Sequence, residues 1–315
     1  MTAPHRVVSL SPNVSMMLFA LGADDVVVGR TAHCLPAIRQ YVTVWRLPEE
    51  TAARRVQQWQ SIPVVGVWPF AEADPIKALQ PDVILTSGSG PFGVHEAQTL
   101  GVADGALLHF DTRTFADLDQ HLTQIGSRLG KVAEADTLIE QLAIKRDEAT
   151  ARLTERPSAP TVLFEYCVCT TYDPEPARRV ADPARTILVG GHLAPDLIQL
   201  VGGRPLFAQP GDSAKWVTID EIREAQPDVV LQYDCHGCPL AQKHPIPARQ
   251  GWSDLPAVSR HAVYPLRENI SDPNLCFPAP LDELVDISQR GLWIPEPPLY
   301  IEKQHARLSS LRGLL

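Results

Sequence analysis

Two stretches of this chain follow one plan, and that plan restricts the fold more than any other feature. Lys77-Ala78-Leu79-Gln80-Pro81-Asp82-Val83-Ile84-Leu85 is echoed about 147 positions later by Glu224-Ala225-Gln226-Pro227-Asp228-Val229-Val230-Leu231. Each reads as the end of a helix, a Pro-Asp break and a short β-branched strand. Proline cannot continue a helix, and so short an apolar run suits only a buried strand. One repeat at this spacing, with no shorter period, predicts two similarly built α/β halves and not a solenoid.

The rest of the pattern extends this reading. In the first half we expect strand 6–10, helix 13–22, strand 26–30 and an irregular stretch to about residue 63. Strand 63–67, helix 74–80, strand 82–86, helix 93–100 and strand 106–110 follow. The second half reads as strand 161–166, helix 193–201, helix 218–225, strand 228–233, strand 262–266 and helix 280–290. Strands alternating with helices imply an α/β fold of two doubly wound, Rossmann-like lobes with largely parallel sheets. Between them, residues 115–153 lack proline, and Leu118, Leu122, Ile125, Leu129, Val132, Leu138 and Leu142 recur at helical spacings. We expect one long backbone helix there, kinked near Gly126 or Gly130 and joining the lobes. The expected domains are an N-terminal lobe over 1–114, the connecting helix over 115–153 and a C-terminal lobe over 154–315.

Composition then excludes several functions. With 315 residues the chain can bury two cores of ordinary size. A net charge of −9 opposes binding to nucleic acid or an anionic membrane. No apolar run approaches the ~18–20 residues of a membrane span. No leader-like apolar segment follows Met1, so a cytoplasmic location is expected. Gly88-Ser89-Gly90 and Gly190-Gly191 are too short for a phosphate-binding fingerprint, and neither G-x-S-x-G nor H-E-x-x-H occurs. We expect a binding protein and no enzyme.

In open parallel sheets, ligands bind beyond the carboxyl ends of the strands. All six cysteines fall there. Cys34 lies past strand 26–30, Cys167 and Cys169 past 161–166, Cys235 and Cys238 past 228–233, and Cys276 past 262–266. In a reducing compartment this usage points to metal or redox chemistry and not to disulfides. Thiolates suit zinc, copper(I) or the iron of an Fe–S cluster. Cys235-His236-Gly237-Cys238 has the spacing to hold one ion around a tight turn, whereas Cys167-Val168-Cys169 is a poorer chelate. These six are the candidate metal ligands, each weighed against the reading of a small buried apolar residue. His33, Trp68, Tyr166, Tyr233, His236 and Phe277 are the candidate ligand-binding residues, because aromatic faces cover a flat macrocycle well. Several of these rings are equally suited to closing the lobes' cores. For His192, beside a helix start, a structural role is the stronger expectation.

The chain also resembles a known family. Val7-Val8-Ser9-Leu10-Ser11-Pro12-Asn13, with Phe19-Ala20-Leu21-Gly22 and Val27-Val28-Gly29-Arg30, is similar to the opening of cobalamin- and siderophore-binding proteins that serve ABC importers, the helical-backbone type. Gly191-His192-Leu193-Ala194-Pro195-Asp196 through Gly202-Gly203, Val217-Thr218-Ile219-Asp220-Glu221-Ile222 and Trp252-Ser253-Asp254-Leu255-Pro256 match in the second half. Ala32-His33-Cys34 and Cys235 resemble features of the leaderless, cobalamin-binding branch. The resemblance implies a ligand such as cobalamin or another metal chelate, held in a cleft between the lobes. An Fe–S cluster or a transition metal bound by the cysteines is the alternative. Ser15-Met16 stands where many members have Thr-Glu, which counts against docking to an ABC permease. A receptor trimmed of its leader is a third reading.

Overall fold

A computed structural model describes residues 6–67, 70–88, 105–153, 158–166, 187–233, 245–272 and 274–289. The chain divides into two compact units, one of Met1–Glu148 with Asp272–Ala279 and one of Ala149–Ser271 with Pro280–Leu315.

The first unit opens with β1 (Val7–Ser9), α1 (Pro12–Ala20) and β2 (Val27–Arg30). Pro12 sits in the first turn of α1, where a missing N–H costs nothing. Two helices then occupy the stretch expected to be irregular, α2 (Cys34–Val44) and α3 (Glu49–Ser61). Their sequences hide them. Pro36 lies in the first turn of α2, and α3 is polar, burying only Ala52 and Trp59, two turns apart. The strand expected over 63–67 is a single Arg30–Val64 bridge followed by a hairpin of β3 (Gly66–Val67) and β4 (Phe70–Ala71). After α4 (Ala73–Ala78) come β5 (Val83–Ser87) and β6 (Leu107–Phe110). The helix expected over 93–100 lies outside the described residues.

These strands form a wholly parallel sheet in the order β2-β1-β5-β6. All five residues of β5 are buried, as a central strand covered on both faces requires. One core cluster gathers Val8, Leu10, Val65, Ile76 and Ile84.

The helical segment after β6 is not one helix. It consists of α5 (Phe115–Leu129) and α6 (Val132–Thr150). Thr114 and Asp117 form a capping box at the start of α5. Gly130 takes the left-handed conformation at φ 69°, and its N–H and that of Lys131 both donate to the Gly126 carbonyl. At Gly126 a Cβ would stand 2.6 Å from the Ala135 side chain, so only glycine lets α6 start that close to α5. The expected kink is therefore a complete break.

Nearly all of α6 belongs to the first unit, and the chain passes between units after Glu148, Ser271 and Ala279, not once. The returning segment is tied into the first unit by Asn13 Nδ2 donating to Asp272 Oδ1 (3.2 Å) and Trp45 Nε1 donating to the Leu275 carbonyl (2.8 Å). Phe277 packs edge-on against Phe115 with ring centroids 4.9 Å apart.

The second unit contains β7 (Thr161–Glu165), β8 (Ile187–Val189), α7 (Ala194–Leu200), β9 (Arg204–Pro205), β10 (Lys215–Val217), α8 (Ile219–Ala225), β11 (Val229–Tyr233), α9 (Pro256–Ser259), β12 (Val263–Leu266) and α10 (Pro278–Gln289), the first two residues of α10 falling to the other unit. Its sheet runs β10-β8-β7-β11-β12, with β9 also beside β7. β8 alone is reversed, antiparallel to both β7 and β10. The cluster of Leu163, Val189, Val217, Ile222, Val230, Trp252 and Leu255 fills one core.

Candidate ligand-binding residues at the strand ends

In the first unit the carboxyl ends of β1, β2 and β5 carry a buried layer of small polar groups. Ser9 Oγ meets Ser15 Oγ at 2.8 Å, and Ser11 Oγ meets Ser87 Oγ at 2.5 Å. Cys34 begins α2 beneath them, fully buried. Its Sγ lies 3.1 Å from Thr31 Oγ1 and 3.8 Å from the Ser9 carbonyl. Burial pushes the Cys34 thiol up from its ordinary value, only partly opposed by hydrogen bonds from Ser15 and Thr31. A neutral, enclosed thiol is a poor metal ligand, because the thiolate is the form that binds. Nearby Arg30 is also buried, donating from Nε to the Trp59 carbonyl (2.8 Å) and from Nη1 to the Thr31 carbonyl (3.1 Å).

Cys276 is buried too, its Sγ 3.6 Å from Met16 Sδ, and Phe277 is a core ring at 1% exposure. His33 is exposed just before α2. Among the described residues no group of three or more His, Cys, Asp or Glu side chains is placed to hold a metal ion. Cys167, Cys169, Cys235, Cys238, Trp68 and His236 lie outside the described residues. Sequence reasoning passed over Phe70, which is 71% exposed on the hairpin that follows the bridge to Arg30. An exposed aromatic two residues past Trp68 was the available signal.

The second unit carries two candidates at the ends of neighbouring strands. β7 and β11 are parallel neighbours whose register ends with Gln232 opposite Glu165, and Tyr233 and Tyr166 are the next residue on each at the carboxyl ends. Both are half-buried. The Tyr166 ring also lies 6.4 Å from that of His192, at an interplanar angle of 57°. Tyr166 and His192 present aromatic surface and polar atoms together, with Tyr233 at the end of the neighbouring strand.

Beneath the tyrosines lies a charged pair. Glu165 Oε1 accepts from Arg249 Nη1 at 2.7 Å, with side chains 0% and 3% exposed, and the Arg249 guanidinium rests over Trp252. Gln232, opposite Glu165, is buried in the same layer. Buried charge survives only when paired and hydrogen-bonded, so this pair fixes the end of β7 to the 245–252 loop.

Two α/β units, with polar and aromatic side chains gathered where parallel strands end, define a ligand-binding protein of the two-unit type. The chain belongs to the periplasmic binding protein family, whose model it matches over residues 7–270. Membership makes it a binding protein of a non-catalytic family. A curated relative is an uncharacterized ABC transporter substrate-binding lipoprotein, YvrC of Bacillus subtilis (strain 168), 22% identical over 267 residues that span 83% of this chain and 72% of that protein. Among solved structures, an ABC transporter substrate-binding protein from Listeria monocytogenes EGD-e superposes with a TM-score of 0.67 at 18% identity, covering 92% of this chain and 100% of that one. IsdE of S. aureus complexed with heme gives 0.66 at 18% identity over 90% and 99% of the two chains. The vitamin B12 binding protein BtuF of Vibrio cholerae gives 0.58 at 17% identity over 91% and 98%. At these identities the structural matches establish the fold. No helix among the described residues is long and apolar enough to cross a membrane.

Proposed function

We propose that this chain is the substrate-binding component of an ABC importer for a flat, metal-bearing ligand, a corrinoid or a haem-like chelate, which it carries unchanged. The observation that carries the reading is the placement of Tyr166 and Tyr233 at the carboxyl ends of the neighbouring strands β7 and β11, with His192 near Tyr166. Rigid aromatic side chains cover a macrocycle face at low entropic cost, and their hydroxyls orient its polar edge. Solved relatives that are named for heme and for vitamin B12 share this fold, which supports the ligand class. Direct ligation by cysteine gains no support from Cys34 or Cys276, since both thiols are enclosed.

Thermal unfolding with each ligand tests the reading. A ligand that binds only the folded state adds about 2.7 kcal/mol at a hundred times its Kd. We expect haemin or a cobalamin to raise the Tm in a concentration-dependent way, and free ferric or zinc salts to leave it where it was. A chain stabilised by free metal alone, with neither macrocycle acting, contradicts the proposal.

A further inference from the structure

The first unit holds a pocket away from the carboxyl ends of its strands. Because β1 and β2 are parallel, α1 runs back from the carboxyl end of β1 toward the amino end of β2, and Ala20 is its last residue. There Ala20, Tyr41, Leu47, Arg55, Glu134 and Leu138 line a pocket of about 390 Å³ between α1, α2, α3 and α6. Small-molecule pockets span about 300–1,000 Å³, so the space is sufficient for a compact ligand.

Two donors in its wall are held in place. Arg55 Nε donates to Asp24 Oδ2 at 2.6 Å, Nη2 donates to the Phe19 carbonyl, and the guanidinium lies 3.9 Å over the Phe19 ring. Trp59 Nε1 takes the other Asp24 oxygen at 2.5 Å. Among the described residues nothing accepts from Arg55 Nη1, and the Tyr41 hydroxyl makes no hydrogen bond either. Tyr41 is 4% exposed, and its ring stands edge-on to Phe19 with centroids 6.0 Å apart. Burial raises the phenol above its ordinary value, so it stays a donor at neutral pH, and Arg55 is near enough for its charge to act on it. Leu47 and Leu138 supply apolar wall, and Glu134, bridged to Lys131 at 3.1 Å, is an exposed part of the lining.

We infer that this pocket is a second binding site, for a small monocarboxylate with an apolar body. The carboxylate accepts from Arg55 Nη1 and the Tyr41 hydroxyl, and the body lies against Leu47 and Leu138. A carboxylate offers two acceptor oxygens to the two donors, and hydrogen bonds to an ionised acceptor are roughly twice as strong as neutral ones. Asp24 already balances the Arg55 charge, and Glu134 adds a negative one to the lining. A second negative charge on the ligand is therefore disfavoured, which separates monocarboxylates from dicarboxylates and phosphates. The site shares no residue with the strand-end candidates and does not depend on the proposed cargo.

Ligand-observed NMR titration of the full chain decides it, with benzoate, its neutral counterpart benzamide and the dianion isophthalate as probes. Benzoate should bind saturably with a Kd on the order of 0.1–1 mM, as its size allows. Benzamide and isophthalate should each bind about tenfold more weakly or not at all. Tyr41→Phe removes one oxygen that has no partner among the described residues, so it should keep the fold and weaken benzoate about tenfold. Arg55→Lys keeps a cation beside Asp24 but loses the Nη1 donor, and it should weaken benzoate at least as much. Glu134→Gln should leave benzoate binding in place and improve isophthalate about threefold at low salt. No saturable benzoate binding, equal binding of benzoate and benzamide, or wild-type affinity in Tyr41→Phe overturns the inference.

Discussion

The Asp228 carboxylate accepts the backbone N–H of Thr161 at 2.9 Å, at the point where β7 begins beside β11. Its counterpart Asp82 accepts from the Arg6 N–H at 3.0 Å, where β1 begins beside β5. Before each aspartate a glutamine stands in the left-handed conformation, Gln80 at φ 46° and Gln226 at φ 47°. The repeated Gln-Pro-Asp is therefore a working joint: it ends a helix, reverses the chain and registers the next strand against its neighbour. Asp82→Ala and Asp228→Ala should each cost about 1–2 kcal/mol, each acting on its own unit. Urea denaturation followed separately by hydrogen exchange in β1 and β7 checks this, and equal losses in both strands from one substitution would contradict it.

The Glu165–Arg249 pair gives a second prediction. Arg249→Met leaves Glu165 buried without its cation and should cost about 3–5 kcal/mol. Glu165→Gln with Arg249→Met should recover part of that loss, because no unpaired charge remains. Chemical denaturation of the two variants reads the difference, and a double variant no more stable than the single one refutes the account of this pair.

A third prediction concerns pH. Burial raises the Asp272 carboxyl above its ordinary value, while hydrogen bonds from Asn13 and Asn274 oppose the shift. A raised folded-state value means that the neutral form is favoured on folding. Its contribution is fully present below the ordinary carboxylate range, and it is lost as pH rises through the raised value. Asp272→Asn keeps an acceptor for Asn13 and should stabilise the first unit at neutral pH while flattening this part of the pH profile. Thermal melts of both proteins between acid and neutral pH test it, and parallel profiles would count against it.

The cysteines supply the fourth. Cys34→Ser should leave the metal content of anaerobically purified protein unchanged, because the native thiol is neutral and enclosed. The same substitution should lower stability by roughly 1–2 kcal/mol, since a hydroxyl replaces a larger, less polar group in a packed site. Elemental analysis and a melt on one sample measure both, and loss of bound iron or zinc would restore the cysteine reading.

Much of this architecture was legible because its signals are local. The Pro-Asp joints, the β-branched strands after them and the Gly202-Gly203 stop each act within a few residues. Helix α3 was not legible, since two buried positions in thirteen make too faint a stripe. The return of Asp272–Ala279 to the first unit was not legible either, because its partners Asn13, Trp45 and Phe115 are distant in sequence and reveal nothing by pattern. For the site, the strand-end rule put Tyr166 just past β7 and Tyr233 at the end of β11, the positions both take in the fold. Cys34 likewise lies past β2, but its burial was not legible, since position past a strand does not say which way a side chain turns. The left-handed backbone at His192 is a property no composition reveals.

The central claim is that Tyr166 and Tyr233 form part of the ligand-binding surface for a metal macrocycle. Isothermal titration of haemin and aquocobalamin into the wild-type chain and into the Tyr166→Ala/Tyr233→Ala variant tests it most directly, with circular dichroism confirming the fold of both. The account predicts saturable binding of at least one macrocycle by the wild type, weakened by about 2–3 kcal/mol in the variant, as the loss of aromatic anchors from a binding site costs. Identical affinities in the two proteins, or no saturable binding by the wild type, would contradict it.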